Sequence, residues 1–159
     1  FRSSELSEQF PRGYTYLKEC EEILREREHG RLRDDDYWYR YIYPKNLVLF
    51  DNEKLVAPEI SLGGNFAYDK NGEFYSTTKI YGYIKKDSVK ESYKFWLALF
   101  NSRLFWFFIQ NTGYVLRGGY YTFKTDYVNP FPVPKEISKE IEKAITILVD
   151  YIITIKRIL

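Results

Sequence analysis

Residues 88–111 read SVKESYKFWLALFNSRLFWFFIQN, and this stretch decides the class of fold. Tyr93, Trp96, Leu97, Phe100, Leu104 and Phe107 recur at intervals of three and four, the spacing of one helix face. Ser88 and Glu91 are three apart, as in a capping box where each side chain serves the other's backbone N–H. Gly113 follows as a stop signal. One long helix from Ser88 to Asn111 is the expectation, the central aromatic helix of the domain.

Upstream of it the periodicity changes twice. Tyr14, Leu17, Cys20 and Leu24 lie on one face of a predicted helix from Tyr14 to His29, and Gly30 tolerates the left-handed backbone of a C-terminal stop. From Tyr37 to Tyr43 the period is two: Tyr37, Tyr39, Tyr41 and Tyr43 share one face of a predicted strand, Trp38, Arg40 and Ile42 the other. Lys45 to Phe50 is too short for helix and strand to be told apart. Lys54 to Ser61 reads as a strand interrupted by Pro58, hence an edge or a bulge. Asn65–Asp69 and Glu73–Ile84, around Lys70-Asn71-Gly72, read as a β-hairpin whose Asn-Gly pair supplies positive φ.

Downstream, Val115 to Phe123 reads as two short extended arms around Gly118-Gly119. Asn129 to Pro134 carries three prolines in six residues and makes a stiff strap. Lys135 to Leu159 is a predicted amphipathic helix of ~37 Å. Its heptad seam is Ile141, Ile145, Leu148, Ile152, Ile155 and Leu159, and part of that seam should seek a partner. The expectation is therefore an α+β domain: a small, mostly antiparallel sheet, the central aromatic helix, an N-terminal helix and a long C-terminal helix. Residues 1–134 would form the body and 135–159 a spacer helix. A chain that opens at Phe1 and stops at Leu159 within a helical pattern is expected to belong to something longer.

Composition narrows the chemistry. Sixteen Tyr, twelve Phe and three Trp bring aromatics to 19% of 159 residues, so either the core or a binding surface is unusually rich in rings. Net charge is only +2, and any nucleic-acid surface must rest on local charge. Cys20 and His29 stand alone in their types, which leaves neither an internal disulfide nor a Cys/His zinc site, and a lone thiol suits the cytoplasm. No apolar run reaches membrane-span length, so no membrane partner is expected.

Several constellations carry two readings. In Leu116-Arg117-Gly118-Gly119-Tyr120-Tyr121, followed by Lys124, two glycines permit close backbone approach beside groups that grip phosphates or guanine. The alternative is a hairpin turn with incidental charge. No acidic residue lies between Ser92 and Thr125, while Lys94, Arg103, Arg117 and Lys124 are basic. The tyrosines of 37–43 around Arg40 could stack on bases, or pack half-buried with hydroxyls at the rim. Asp34-Asp35-Asp36 reads as a solvated loop, and His29 as a helix-end residue. Asn129-Pro130-Phe131-Pro132 resembles the Asn-Pro-Pro-aromatic tetrapeptide of amino-methyltransferases with two positions exchanged. No Gly-rich donor-binding loop precedes it, and no acidic-x-Lys triplet of a nuclease core occurs, so catalysis is not expected of this chain.

In order, the chain presents the Tyr16-Leu17 helix, Tyr37-Trp38-Tyr39, Lys54-Leu55-Val56-Ala57-Pro58-Glu59-Ile60-Ser61 and Asn65-Phe66-Ala67-Tyr68-Asp69. It continues with Ala98-Leu99-Phe100-Asn101-Ser102-Arg103-Leu104, Leu116-Arg117-Gly118-Gly119-Tyr120 and Pro130-Phe131-Pro132-Val133-Pro134. From about Tyr14 to about Ile145 this resembles the TaqI-like C-terminal specificity domain of adenine-N6 DNA methyltransferases and of restriction enzymes fused to them. The resemblance implies sequence-specific binding of double-stranded DNA and presentation of one adenine to a separate methyltransferase domain. That parent would use S-adenosylmethionine, with magnesium if it also cleaves; this chain would hold neither. Lys79, Lys85, Arg117 and Lys124 are the expected phosphate contacts, with Arg40, Gly118, Gly119, Tyr120 and Tyr121 completing the DNA-binding set. A protein-interaction scaffold acting through the C-terminal helix is the competing function.

Overall fold

The computed structural model describes residues 1–76 and 79–158. They fall into two compact units, Phe1–Leu47 and Val48–Leu159. The class is α+β, with antiparallel strands, a helical N-terminus and a long C-terminal helix.

The first unit holds α1 (Ser3–Gln9), α2 (Pro11–Glu19), α3 (Glu21–Arg25) and α4 (Arg27–Gly30). The single helix expected over Tyr14–His29 is thus segmented, with breaks at Cys20 and Glu26. Gly30 does adopt positive φ (78°), and Glu28 and His29 share it at 50° and 61°. In the left-handed region a side chain costs ~1–2 kcal/mol.

The strand expected over Tyr37–Tyr43 is not formed; the segment is turns and bends. Arginine side chains have taken the backbone groups a neighbouring strand would need. Arg27 Nη2 donates to the carbonyl oxygens of Trp38 and Arg40 at 2.8 and 2.9 Å, and Arg25 Nη1 donates to those of Arg33 and Asp35. Trp38 is buried beneath Arg25 and Lys18, both over its ring, while Tyr37, Tyr41 and Tyr43 stay exposed.

In the second unit a 3-10 turn over Leu47–Leu49 leads into β1 (Lys54–Pro58). β1 is the middle strand of three, paired antiparallel with β3 (Ala67–Asp69) on one side and β4 (Ile80–Tyr83) on the other. Pro58 therefore does not mark an edge strand. It sits where β3 has already ended and only Ile80 of β4 lies opposite, so its missing N–H costs no ladder bond on the β3 side.

The expected hairpin is also absent: β3 and β4 flank β1 and do not pair with each other. Asp69 diverts the chain, because its carboxylate accepts the backbone N–H of Glu73 and Phe74 as well as the Lys54 ammonium at 2.5 Å. Residues 77–78 of that expected second strand lie outside the described residues. β2 (Ile60–Ser61) continues beyond Glu59 into a separate two-stranded ladder with β5 (Tyr121–Thr122).

The helix expected over Ser88–Asn111 is two: α5 (Tyr93–Phe100) and α6 (Arg103–Thr112). Ser92 and Ser102, both extended, cap them by accepting the N–H of Phe95 and Phe105, so the Ser88/Glu91 capping box does not start the helix. The break resets the helical phase. Tyr93, Phe95 and Leu97 are buried on α5 and Phe105 and Ile109 on α6, whereas Leu104 and Phe107 of the expected stripe face solvent.

Rings fill the core beneath. Phe66 meets Phe100, Tyr83, Phe105 and Phe123 at centroid distances of 4.9, 5.3, 5.8 and 6.2 Å, and Phe105 meets Phe131 at 5.0 Å. Each such pair adds ~0.5–1.5 kcal/mol beyond burial. The aromatic surplus is divided between this core and the surface, where Tyr41, Phe74, Tyr75, Phe107 and Tyr114 are among the exposed rings.

A short helix α7 (Thr125–Val128) precedes the proline strap, whose Phe131 is buried. The last helix, α8 (Lys139–Ile158), begins four residues later than expected and packs on α5. Its packed face is buried Val149 with partly buried Ile145 and Ile153, which shares only Ile145 with the heptad seam, whose Leu159 lies outside the described residues. Polar contacts fix that rotation: Ser92 N donates to Glu142 Oε1 at 2.7 Å, the Ser92 and Thr146 hydroxyls stand 3.2 Å apart, and Lys94 pairs with Asp150 at 2.5 Å.

Candidate nucleic-acid interface

Glu59 joins the two ladders, and its backbone is pinned on both sides. Its N–H donates to the Lys79 carbonyl oxygen at 2.8 Å, and its own carbonyl accepts Phe123 N at 2.7 Å. The side chain is only 14% exposed and faces two lysines, Lys79 Nζ 3.5 Å from Oε2 and Lys124 Nζ 3.9 Å from Oε1. Both ammonium groups are largely in solvent, where such pairs are worth ~0–1 kcal/mol.

Beside them stands the turn at Leu116–Gly119. Leu116 N donates to Tyr120 O and Gly119 N to Leu116 O, at 2.6 and 3.2 Å, and Val115 bridges Tyr121. Gly118 and Gly119 have φ of 82° and 79°, and open space surrounds the position of a Cβ at Gly119, so conformation demands these glycines rather than crowding. The two-arm reading of 115–123 holds. Arg117 at its tip is exposed and has no hydrogen-bond or ion-pair partner among the described residues.

Between turn and carboxylate lies a cleft of about 290 Å³, lined by Glu59, Ile60, Tyr114, Leu116, Thr122, Lys124 and Tyr127. Thr122 is buried, and its hydroxyl has no partner among the described residues. A buried hydroxyl without a bond costs ~1–3 kcal/mol.

The structure thus brings Lys79 and Lys124 onto opposite oxygens of Glu59, and Lys124 lines the same cleft as Leu116, the neighbour of Arg117. Tyr120 is exposed next to Gly118. Tyr121 is half-buried, packed edge-on against Trp106 at 5.3 Å. Lys85 is already engaged, donating to Glu91 O at 2.7 Å with its ammonium 4.9 Å from the Tyr93 ring centroid. Arg40 belongs to the first unit, where it pairs with Asp35 at 2.7 Å.

Glu59, Tyr114, Thr122 and Tyr127 are cleft residues that the sequence reading did not single out. Only Glu59 had a signal, following the proline at which a strand pattern falters.

A cationic glycine turn thus stands beside a cleft of mixed polar and apolar lining on a small α+β body. Among the described residues Gly63-Gly64 feeds a loop before β3, and Gly118-Gly119 joins extended arms. No three His, Cys, Asp or Glu converge as metal ligands among the described residues. No helix of those residues is long and apolar enough to cross a membrane.

Residues 10–133 match the family model of the TaqI-like C-terminal specificity domain, and the chain belongs to that family. Membership carries a DNA-recognition role in restriction–modification enzymes.

Proposed function

We propose that this chain reads a short sequence in double-stranded DNA and positions one adenine for a separate methyltransferase domain. The recipient would be an adenine-N6 DNA methyltransferase or a type II restriction enzyme fused to one, in the cytoplasm. The observation that carries the reading is Arg117, without a partner among the described residues, at the tip of a glycine turn whose Leu116 lines the same cleft as Lys124 and Glu59, with Lys79 on the other oxygen of Glu59. Cationic side chains on a protruding turn set the register on phosphates, and polar groups behind them meet base edges. Presentation of the adenine would require the duplex to be held while the catalytic domain extrudes the base. S-adenosylmethionine, and magnesium where cleavage occurs, would be bound by that other domain.

Selection from a pool of randomised duplexes tests this directly. A chain that reads sequence enriches one short motif; a pool that stays random contradicts the reading.

A second reading, a protein-interaction module acting through α8, rests on the exposure of Ile141, Leu148 and Ile152 at 58%, 62% and 54%. Truncation of α8 would not test it, because Val149 is part of the core. Leu148→Glu with Ile152→Glu leaves that core intact. Loss of association with DNA binding retained assigns the exposed face to a helix partner and leaves the DNA reading in place.

A further inference from the structure

We infer that Glu59 is a base-reading residue: its carboxylate accepts a hydrogen bond from the exocyclic amino group of a nucleobase whose edge enters the cleft. The inference rests on the DNA-recognition reading above and adds the chemical group recognised.

An ionised carboxylate has about four acceptor sites. Glu59 is 86% withdrawn from solvent, yet its only polar side-chain contacts among the described residues are Lys79 at 3.5 Å and Lys124 at 3.9 Å. Neither is a short, strong pairing of the 2.7–2.9 Å kind. Thr122, on the wall of the same cleft, holds a buried hydroxyl without a partner among the described residues. Two under-satisfied polar groups therefore line one cavity, open beside a cationic turn, with the Tyr114 and Tyr127 side chains completing its walls.

A carboxylate on a DNA-facing surface repels phosphates, so it is tolerable only where a donor comes to meet it. The donors on base edges are the amino groups of cytosine and adenine in the major groove and of guanine in the minor groove. Lys79 and Lys124, on its two oxygens, offset the repulsion of the carboxylate while the duplex approaches. The pinned backbone of Glu59 fixes the acceptor in place before binding.

Glu59→Gln keeps the shape and halves the acceptor capacity while removing the charge. Electrostatics alone would make it bind every duplex more tightly. Base reading predicts the opposite for the selected site only: affinity lower by roughly 5–150-fold, non-specific affinity unchanged or higher, and preference relaxed at a single base pair. Where that pair is G·C, replacing its guanine by inosine separates the grooves. Retained wild-type discrimination assigns the cytosine amino group, and lost discrimination the guanine one.

Thr122→Val provides a second readout. Removing an unsatisfied hydroxyl raises Tm of the free protein, while affinity for the selected site falls. If wild type selects a motif and Glu59→Gln selects the same motif at every position, or loses specific and non-specific binding alike, the inference is overturned and the DNA reading stands. If wild type selects none, the DNA reading itself has failed.

Discussion

The Asn101 side chain closes two hydrogen bonds on the backbone of one distant residue, Phe66. Nδ2 donates to the Phe66 carbonyl oxygen at 3.0 Å, and Phe66 N donates to Oδ1 at 2.9 Å. The break between α5 and α6 is thereby tied to the loop entering β3. Gly64 completes the joint, since a Cβ there would fall 2.2 Å from the Phe100 carbonyl oxygen. Asn101 braces the helix pair against the loop into β3, and Ser102 caps α6.

Asn101→Ala strands both backbone groups of a buried residue, at ~1–3 kcal/mol each. We expect urea unfolding to show a loss of about 2–4 kcal/mol. Gly64→Ala should be at least as harmful, because the clash is with backbone. Wild-type midpoints in both variants would contradict the brace.

Lys54 and Asp69 form a buried ion pair, 1% and 2% exposed. Burial works most strongly against ionising Asp69, but the Lys54 ammonium and the amides of Phe74 and Glu73 outweigh it and hold the carboxyl below its usual range. A depressed folded pKa contributes stability that is complete above the unfolded value of about 3.9 and is lost as pH falls through the folded value. Asp69→Asn leaves a buried ammonium without its counter-charge, a loss of ~3–5 kcal/mol at pH 7. The gap between wild type and variant should narrow as pH drops from 4 towards 2. A gap that stays constant across that range would contradict the pair's role.

Val149 and Leu148 are neighbours on α8 with opposite environments, 7% and 62% exposed. Val149→Ala removes two methyl groups from the core and should cost about 2 kcal/mol. Leu148→Ala should stay within about 0.5 kcal/mol. Equal effects would mean that the helix is rotated from the orientation fixed by Ser92, Glu142 and Thr146.

Element type was readable where local chemistry and packing agree, and misread where a side chain overrides periodicity. The apolar spacing through 93–107 is continuous, so counting alone runs straight through Asn101-Ser102; only the cap chemistry of Asn and Ser announces the break. The tyrosine alternation at 37–43 has the period of a strand, but Arg27, more than ten residues away, claims the carbonyls of Trp38 and Arg40. The Asn71-Gly72 turn signal is real, yet Asp69 binds the residues after it and sends them away from β3. At the site, Arg117, Gly118, Gly119 and Lys124 were visible as a cationic turn. Glu59 and Thr122 were not, because an unspent acceptor or hydroxyl exists only in three dimensions.

The Arg117 turn and Lys124 are proposed to hold DNA phosphates. Counterion release makes the logarithm of affinity fall with the logarithm of salt concentration at about 0.9 per phosphate contacted. The decisive measurement is that slope for wild type and for Arg117→Ala combined with Lys124→Ala, titrated on one duplex between 50 and 200 mM salt, roughly the range over which the effect is large. If both side chains contact phosphates, the double variant binds more weakly and its slope is shallower by about 1.8 for two lost contacts. Unchanged affinity with an unchanged slope would contradict it.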